Sequence, residues 1–99
     1  MTPRDRQQLI LSCLPVAPTM VSIDALAADT GMAPDELHRI VESMRHMGAG
    51  VTTRRAGRLL AITPEYWPIA RREAQYWWAH GGEAMALAAR QKTLQTERD

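Results

Sequence analysis

The 99-residue sequence contains no phenylalanine, one cysteine (Cys13), one lysine (Lys92), and no aromatic residue before Tyr66. A single thiol can neither close an internal disulfide nor supply a cysteine zinc cluster, so burial alone must hold the fold, and a reducing compartment suits it. No apolar run reaches the roughly 18 residues that a membrane-spanning helix needs. The opening Met1-Thr2-Pro3-Arg4-Asp5 does not have the basic-then-apolar layout of a secretory leader, so a cytoplasmic location away from membranes is expected. A surplus of one charge sign is missing too. Twelve basic and eleven acidic side chains leave a formal net charge of +1, too little to draw polyanions to the molecule as a whole. Nucleophile–base pairs, phosphate-cradling glycine loops and paired-carboxylate motifs are also missing, so the sequence does not read as an enzyme and implies no cofactor.

What is present is a globular composition, 45% hydrophobic and 23% charged, in a length that suits one compact core. Thr2 can cap a first helix, with Pro3 in its first position and Asp5 in its first turn. Ile10, Cys13 and Leu14 recur at the helical period, Arg4, Arg6, Gln7 and Gln8 are left for solvent, and the helix ends before Pro15. Pro15-Val16-Ala17-Pro18 breaks regular structure, and Thr19-Met20-Val21 is long enough only for a short edge strand. Ser22 caps a short second helix, Ile23 to Thr30, that Gly31 ends. Pro34 opens a third, 34–47, with Asp35 and Glu36 in its first turn. Leu37, Ile40, Val41, Met44 and Met47 form its apolar stripe.

After Gly48 the pattern turns β-branched and alternating. Val51-Thr52-Thr53-Arg54, the turn Arg55-Ala56-Gly57-Arg58 and Leu59-Leu60-Ala61-Ile62 predict a hairpin over 51–62. From Thr63-Pro64 onward the chain is expected to be helical, with an interruption at Gly81-Gly82 and a polar, frayed end from Gln95 to Asp99.

The order helix, short strand, helix, tight turn, helix, hairpin resembles a winged helix-turn-helix. Within 23–42, Leu26, Ala27, Gly31, Met32, Leu37 and Ile40 match the helix-turn-helix pattern: a small residue where the helices cross and a glycine at the corner. Met44-Arg45-His46-Met47-Gly48 leading into Val51-Thr52-Thr53 and Gly57-Arg58-Leu59-Leu60 is similar to the winged N-terminal domain of biotin-repressor-type proteins. That likeness covers about residues 5–63, and nothing resembling the ligase part follows. The expected fold class is therefore α+β, mostly α: a three-helix core plus a β-hairpin wing over 1–63, and a C-terminal helical extension over 64–99.

The resemblance implies double-stranded DNA as a partner, with the third helix in the major groove and the wing on the backbone or minor groove. Carried over position by position, the groove-facing residues are Ala33, Pro34, Asp35, His38, Arg39 and Glu42, followed by Arg45. Arg39 is the candidate for a bidentate base contact, with His38 beside it. Arg54, Arg55 and Arg58 on the wing, and Arg4 or Arg6 on the first helix, are candidates for phosphate. Asp35 and Glu42 put negative charge on that same surface, which leaves a winged-helix module for protein–protein interaction as the alternative. His38, Glu42 and His46 form a ridge at four-residue steps, but a metal site needs more ligands than they supply.

All five aromatic residues lie between Tyr66 and Trp78. They must either cover the aliphatic core or meet another molecule. Trp67, Ala70, Ala74 and Trp77 fall on alternating steps of three and four. That stripe, with Trp78 beside it, resembles a dimerisation helix and predicts a homodimer.

Overall fold

Where a capping side chain stands, a helix begins. The Thr2 hydroxyl accepts from the Asp5 backbone N–H at 3.1 Å, and the Asp5 carboxylate accepts in return from the Thr2 backbone N–H at 2.9 Å. These reciprocal bonds start α1, Pro3–Cys13, and satisfy donors that a helix start otherwise leaves unpaired. Ser22 Oγ accepts from the Ala25 N–H at 3.1 Å and starts α2, Ile23–Thr30. Gly31, at φ +68°, turns the chain out of α2 in a conformation that costs glycine little. In α3, Pro34–His46, Ala33 has no side chain to cap with. Pro34 opens the helix instead, acidic side chains fill its first turn, and Arg45 and His46 sit in the last turn, each suited to the helix dipole there.

The computed structural model describes residues 1–98, with side chains as far as residue 92. The end expected to fray from Gln95 to Asp99 is helical as far as Arg98, and Asp99 lies outside the described residues. The architecture is α+β and mostly helical. β2, Val51–Arg54, and β3, Leu59–Ile62, form an antiparallel hairpin in which Val51 stands opposite Ile62 and Arg54 opposite Leu59. The expected edge strand is β1, Val21–Ser22, two residues long and ending one position later than the sequence suggests; it pairs with the other side of β3, so the sheet order is β1-β3-β2. Helix α4, Trp67–Trp77, begins after a turn over 64–66 rather than at Thr63. Helix α5 spans Glu83–Arg98. Between them the backbone breaks at His80 and at Gly81, φ +111°, as the paired glycines predict. Among the described residues no helix is long and apolar enough to cross a membrane.

One cluster of buried side chains runs through these elements. It joins Leu9, Ile10, Leu11 and Leu14 of α1, Leu26 of α2, Leu37, Val41 and Met44 of α3, Val51, Leu60 and Ile62 of the sheet, and Ala70 and Trp77 of α4. Three expectations change here. Met47 is 83% exposed, because the chain leaves the helix at that residue and takes the side chain off the apolar stripe. Gln8, expected in solvent, is only 7% exposed, because α4 folds back along α1 and covers it.

The third correction concerns the expected subunit interface. Ala70, Ala74 and Trp77 are buried in the chain's own core, where the small side chains of Ala70 and Ala74 let α4 approach α1 closely. Trp67 is half-buried against the same core, with the Arg71 guanidinium 5.3 Å from its ring centre. Only Trp78, at 41%, stays exposed. Gly82 completes the arrangement, since a Cβ there would run into the Trp77 indole. Its bare backbone lets the start of α5 lie over that ring while α5 packs on α2.

The Trp77 indole N–H donates to Asp5 Oδ1 at 3.0 Å. The Thr2 backbone N–H first, then the Trp77 indole and the Thr2 hydroxyl, hold the Asp5 carboxyl below its ordinary range. Asp5 is thus a stronger acid folded than unfolded. Its contribution to stability is fully present above the unfolded value of about 4 and is lost as pH falls through the lower folded value. Asp5→Asn is expected to flatten that part of the acid limb in a plot of unfolding midpoint against pH. An unchanged slope below about pH 4 would remove Asp5 from the acid response.

Candidate nucleic-acid interface

With Leu37, Val41 and Met44 turned inward, the 3.6-residue period sends Asp35, Arg39, Glu42 and His46 to the outer face of α3, and all four are exposed. Ala33 and Pro34 are exposed at its start. Arg45 is exposed on one flank, but its Nη1 lies 2.9 Å from Glu42 Oε1, so two of the expected contact residues hold each other. Arg39 has no acidic partner among the described residues. It borders a shallow recess shared with Pro3, Arg6 and Gln7 of α1. Arg6 therefore stands beside α3 as expected, with its guanidinium engaged by Glu36 at 3.2 Å. Arg4 lies on the other side of α1, along α4.

His38 has a different place from the one the sequence suggests. It is half-buried on the flank of α3 that faces the hairpin turn, and a Cβ at Gly57 would come within 3.0 Å of its ring carbon Cε1. His38 is a packing contact between helix and hairpin rather than an outward neighbour of Arg39. The turn itself has an unusual backbone. Arg55, Ala56 and Gly57 all have positive φ, +54°, +56° and +82°, and the Arg58 N–H donates to the Arg55 carbonyl at 3.2 Å. Positive φ at both central residues gives the tight hairpin turn whose twist matches that of the strands. Only Gly57 is free of steric cost in that region, so the turn is held by its surroundings rather than by local preference.

The result is a cluster of Arg54, Arg55 and Arg58 on the hairpin, all exposed and none with an acidic partner among the described residues. The sequence reading did not include the start of α2 in this region. The Ile23 N–H donates to the Arg58 carbonyl at 2.8 Å, and Ser22 and Asp24 line a recess with Arg55 and Arg58. The pairing of β1 with β3 puts it there, and a two-residue strand leaves little trace in sequence. No group of three His, Cys, Asp or Glu side chains able to hold a metal occurs among the described residues, the ridge of His38, Glu42 and His46 included.

The outer face of α3 and the arginine-bearing turn thus lie side by side, joined at His38 and Gly57. A helix with mixed charges on its outer face next to a cationic turn can lie against a polyanion and be anchored at the turn. Comparison with protein-family models, with curated proteins and with solved structures finds no match for this chain.

Proposed function

We propose that this chain is a winged helix-turn-helix protein that binds duplex DNA as a transcriptional regulator, with α3 in the major groove and the hairpin on the backbone or minor groove. The observation that carries the reading is the placement of Arg54, Arg55 and Arg58, which have no acidic partner among the described residues, on a hairpin that comes against the flank of α3. Arg39 is the base-reading side chain, since it is the outward arginine of α3 that no carboxylate holds among the described residues. Arg45 is a weaker candidate because binding must first release it from Glu42, although an exposed pair of this kind is worth little. Action as a homodimer belongs to the same proposal and must use surface other than Ala70, Ala74 and Trp77.

The Glu42–Arg45 pair and the exposed Asp35 favour a second reading, in which α3 docks on another protein. Salt dependence separates the two. Three phosphates neutralised by the hairpin predict a complex with random-sequence duplex at low salt that loses about 40-fold in affinity between roughly 50 and 200 mM salt. Absence of a shifted band at the lower salt would reject the DNA reading and leave the protein-docking one.

A further inference from the structure

While one face of α4 is covered by α1, another is left bare. Ile69 is 48% exposed and Tyr76 64%, and a helix that advances by about 100° per residue sets these two side chains within about 20° of one line along α4. They stand about 10 Å apart on it, two turns of helix. Tyr76 stacks on His80 with ring centres 3.9 Å apart, so the strip ends in two rings already held together. Side chains fixed in advance lose little freedom when a partner covers them.

Charge divides across the strip. Arg72 falls about 50° to one side of the line and Glu73 about 50° to the other, at nearly the same height on the helix. Both are exposed, and neither has an ion-pair partner among the described residues. Glu73 Oε2 accepts from Gln8 Nε2 over a long 3.4 Å, and a carboxylate has room for further donors. An apolar line with an unpaired cation on one flank and an unpaired anion on the other is complementary to a copy of itself. The flanks decide how the copies lie. A two-fold axis running along parallel α4 helices sets Ile69 against Ile69 and Tyr76 against Tyr76 and exchanges the flanks, so that each Arg72 meets the Glu73 of the second copy. An axis across the helices makes them antiparallel and keeps each flank on its own side, where Arg72 lies beside Arg72 and Glu73 beside Glu73. Like charges brought together disfavour that arrangement.

We propose that α4 pairs with the α4 of a second copy about a parallel two-fold axis, covering Ile69 and Tyr76 and joining Arg72 to Glu73 on both flanks. This names a surface for the homodimer of the preceding reading and rests on that reading only for its use; no DNA enters the test, so the two can fail separately. Two turns of helix bury less than a standard interface, so the dimer is weak, with half-association on the order of 100 μM, and the chain is monomeric at about 1 μM.

Sedimentation of the full chain from about 10 μM to 1 mM is expected to show a monomer–dimer equilibrium that weakens as salt rises. Ile69→Asp and Arg72→Glu, both at exposed positions, should each weaken it at least about tenfold with the circular dichroism spectrum unchanged. Arg4 lines the recess beside Glu73 and repels the arriving guanidinium, so Arg4→Gln should tighten the dimer. An equimolar mixture of Arg72→Glu and Glu73→Arg chains should dimerise where neither does alone, because each flank then meets its opposite. A chain carrying both exchanges should dimerise with itself and not with the wild type; a preference for the mixed dimer would mean antiparallel helices and overturn the arrangement. A wild type that stays monomeric at about 1 mM overturns the proposal, and so does a dimer that Ile69→Asp and Arg72→Glu leave intact. Both are read without Glu73→Arg, so they decide the matter even where that variant, which gives up the bond to Gln8, does not fold.

Discussion

Replacing Trp77 by alanine is expected to remove about 3–5 kcal/mol of stability, enough to unfold a domain of this size or bring it to the edge of unfolding. The ring is 8% exposed, contributes to the core shared by α1 and α4, and donates to Asp5, so the variant loses burial, gains a void and frees a carboxylate at once. Chemical denaturation followed by far-ultraviolet circular dichroism measures the loss. A change under about 1 kcal/mol would mean that Trp77 does not pack in its own chain. The same experiment distinguishes core from interface, because a ring buried between two copies would make the midpoint depend on protein concentration.

Replacing Arg54, Arg55 and Arg58 together by alanine is expected to weaken binding to any duplex on the order of 10³-fold at about 50 mM salt, and to flatten the slope of log affinity on log salt by roughly 2.7. All three side chains are exposed, so the variant should fold as the wild type does. Arg39→Ala has a different expected signature. It should cost about 1–3 kcal/mol on a preferred site and little on random sequence, because base edges carry sequence information and phosphates do not. Fluorescence anisotropy with one preferred and one scrambled duplex, each at several salt concentrations, reads both effects. A triple variant that binds as tightly as the wild type would take the hairpin out of the interface.

The features legible in the sequence are those decided within a few residues of one another. Thr2 with Asp5, Ser22, Gly31 and Pro34 each act on the turn they stand in, and the helix limits they predict agree with the structure to within about a residue. The hairpin is equally local, since its turn residues and alternating strands are contiguous. Contacts made across the chain were harder to read. The spacing of Trp67, Ala70, Ala74 and Trp77 correctly marks a face that must be covered, yet periodicity is the same whether a second copy or the chain's own α1 covers it. Gln8 escaped notice for the same reason, because its burial comes from a helix that starts some sixty residues later.

At the candidate interface the outward positions of α3 followed from its period, and the arginines of the hairpin from their crowding at one turn. His38 did not follow. Its place depends on how close the hairpin turn comes to α3, which the missing side chain of Gly57 permits. The Arg45–Glu42 pairing was open to a spacing argument, since residues three apart on a helix are neighbours.

The hydrogen bond from Trp77 to Asp5 joins positions 72 residues apart and ties the last turn of α4 to the first turn of α1. The cap of the first helix closes on local bonds alone, but the indole partner of Asp5 arrives only when nearly four-fifths of the sequence has been made, and a nascent chain leaving the ribosome must hold α1 without it. Fraying at that first turn loosens the anchor of α4, and a slipped α4 bares Gln8 and lifts Ala70 and Trp77 out of the core, so disturbance at either end spreads to the other. Melting should be a single cooperative event seen alike by tryptophan emission and by backbone signal, with hydrogen exchange equally slow in α1 and α4.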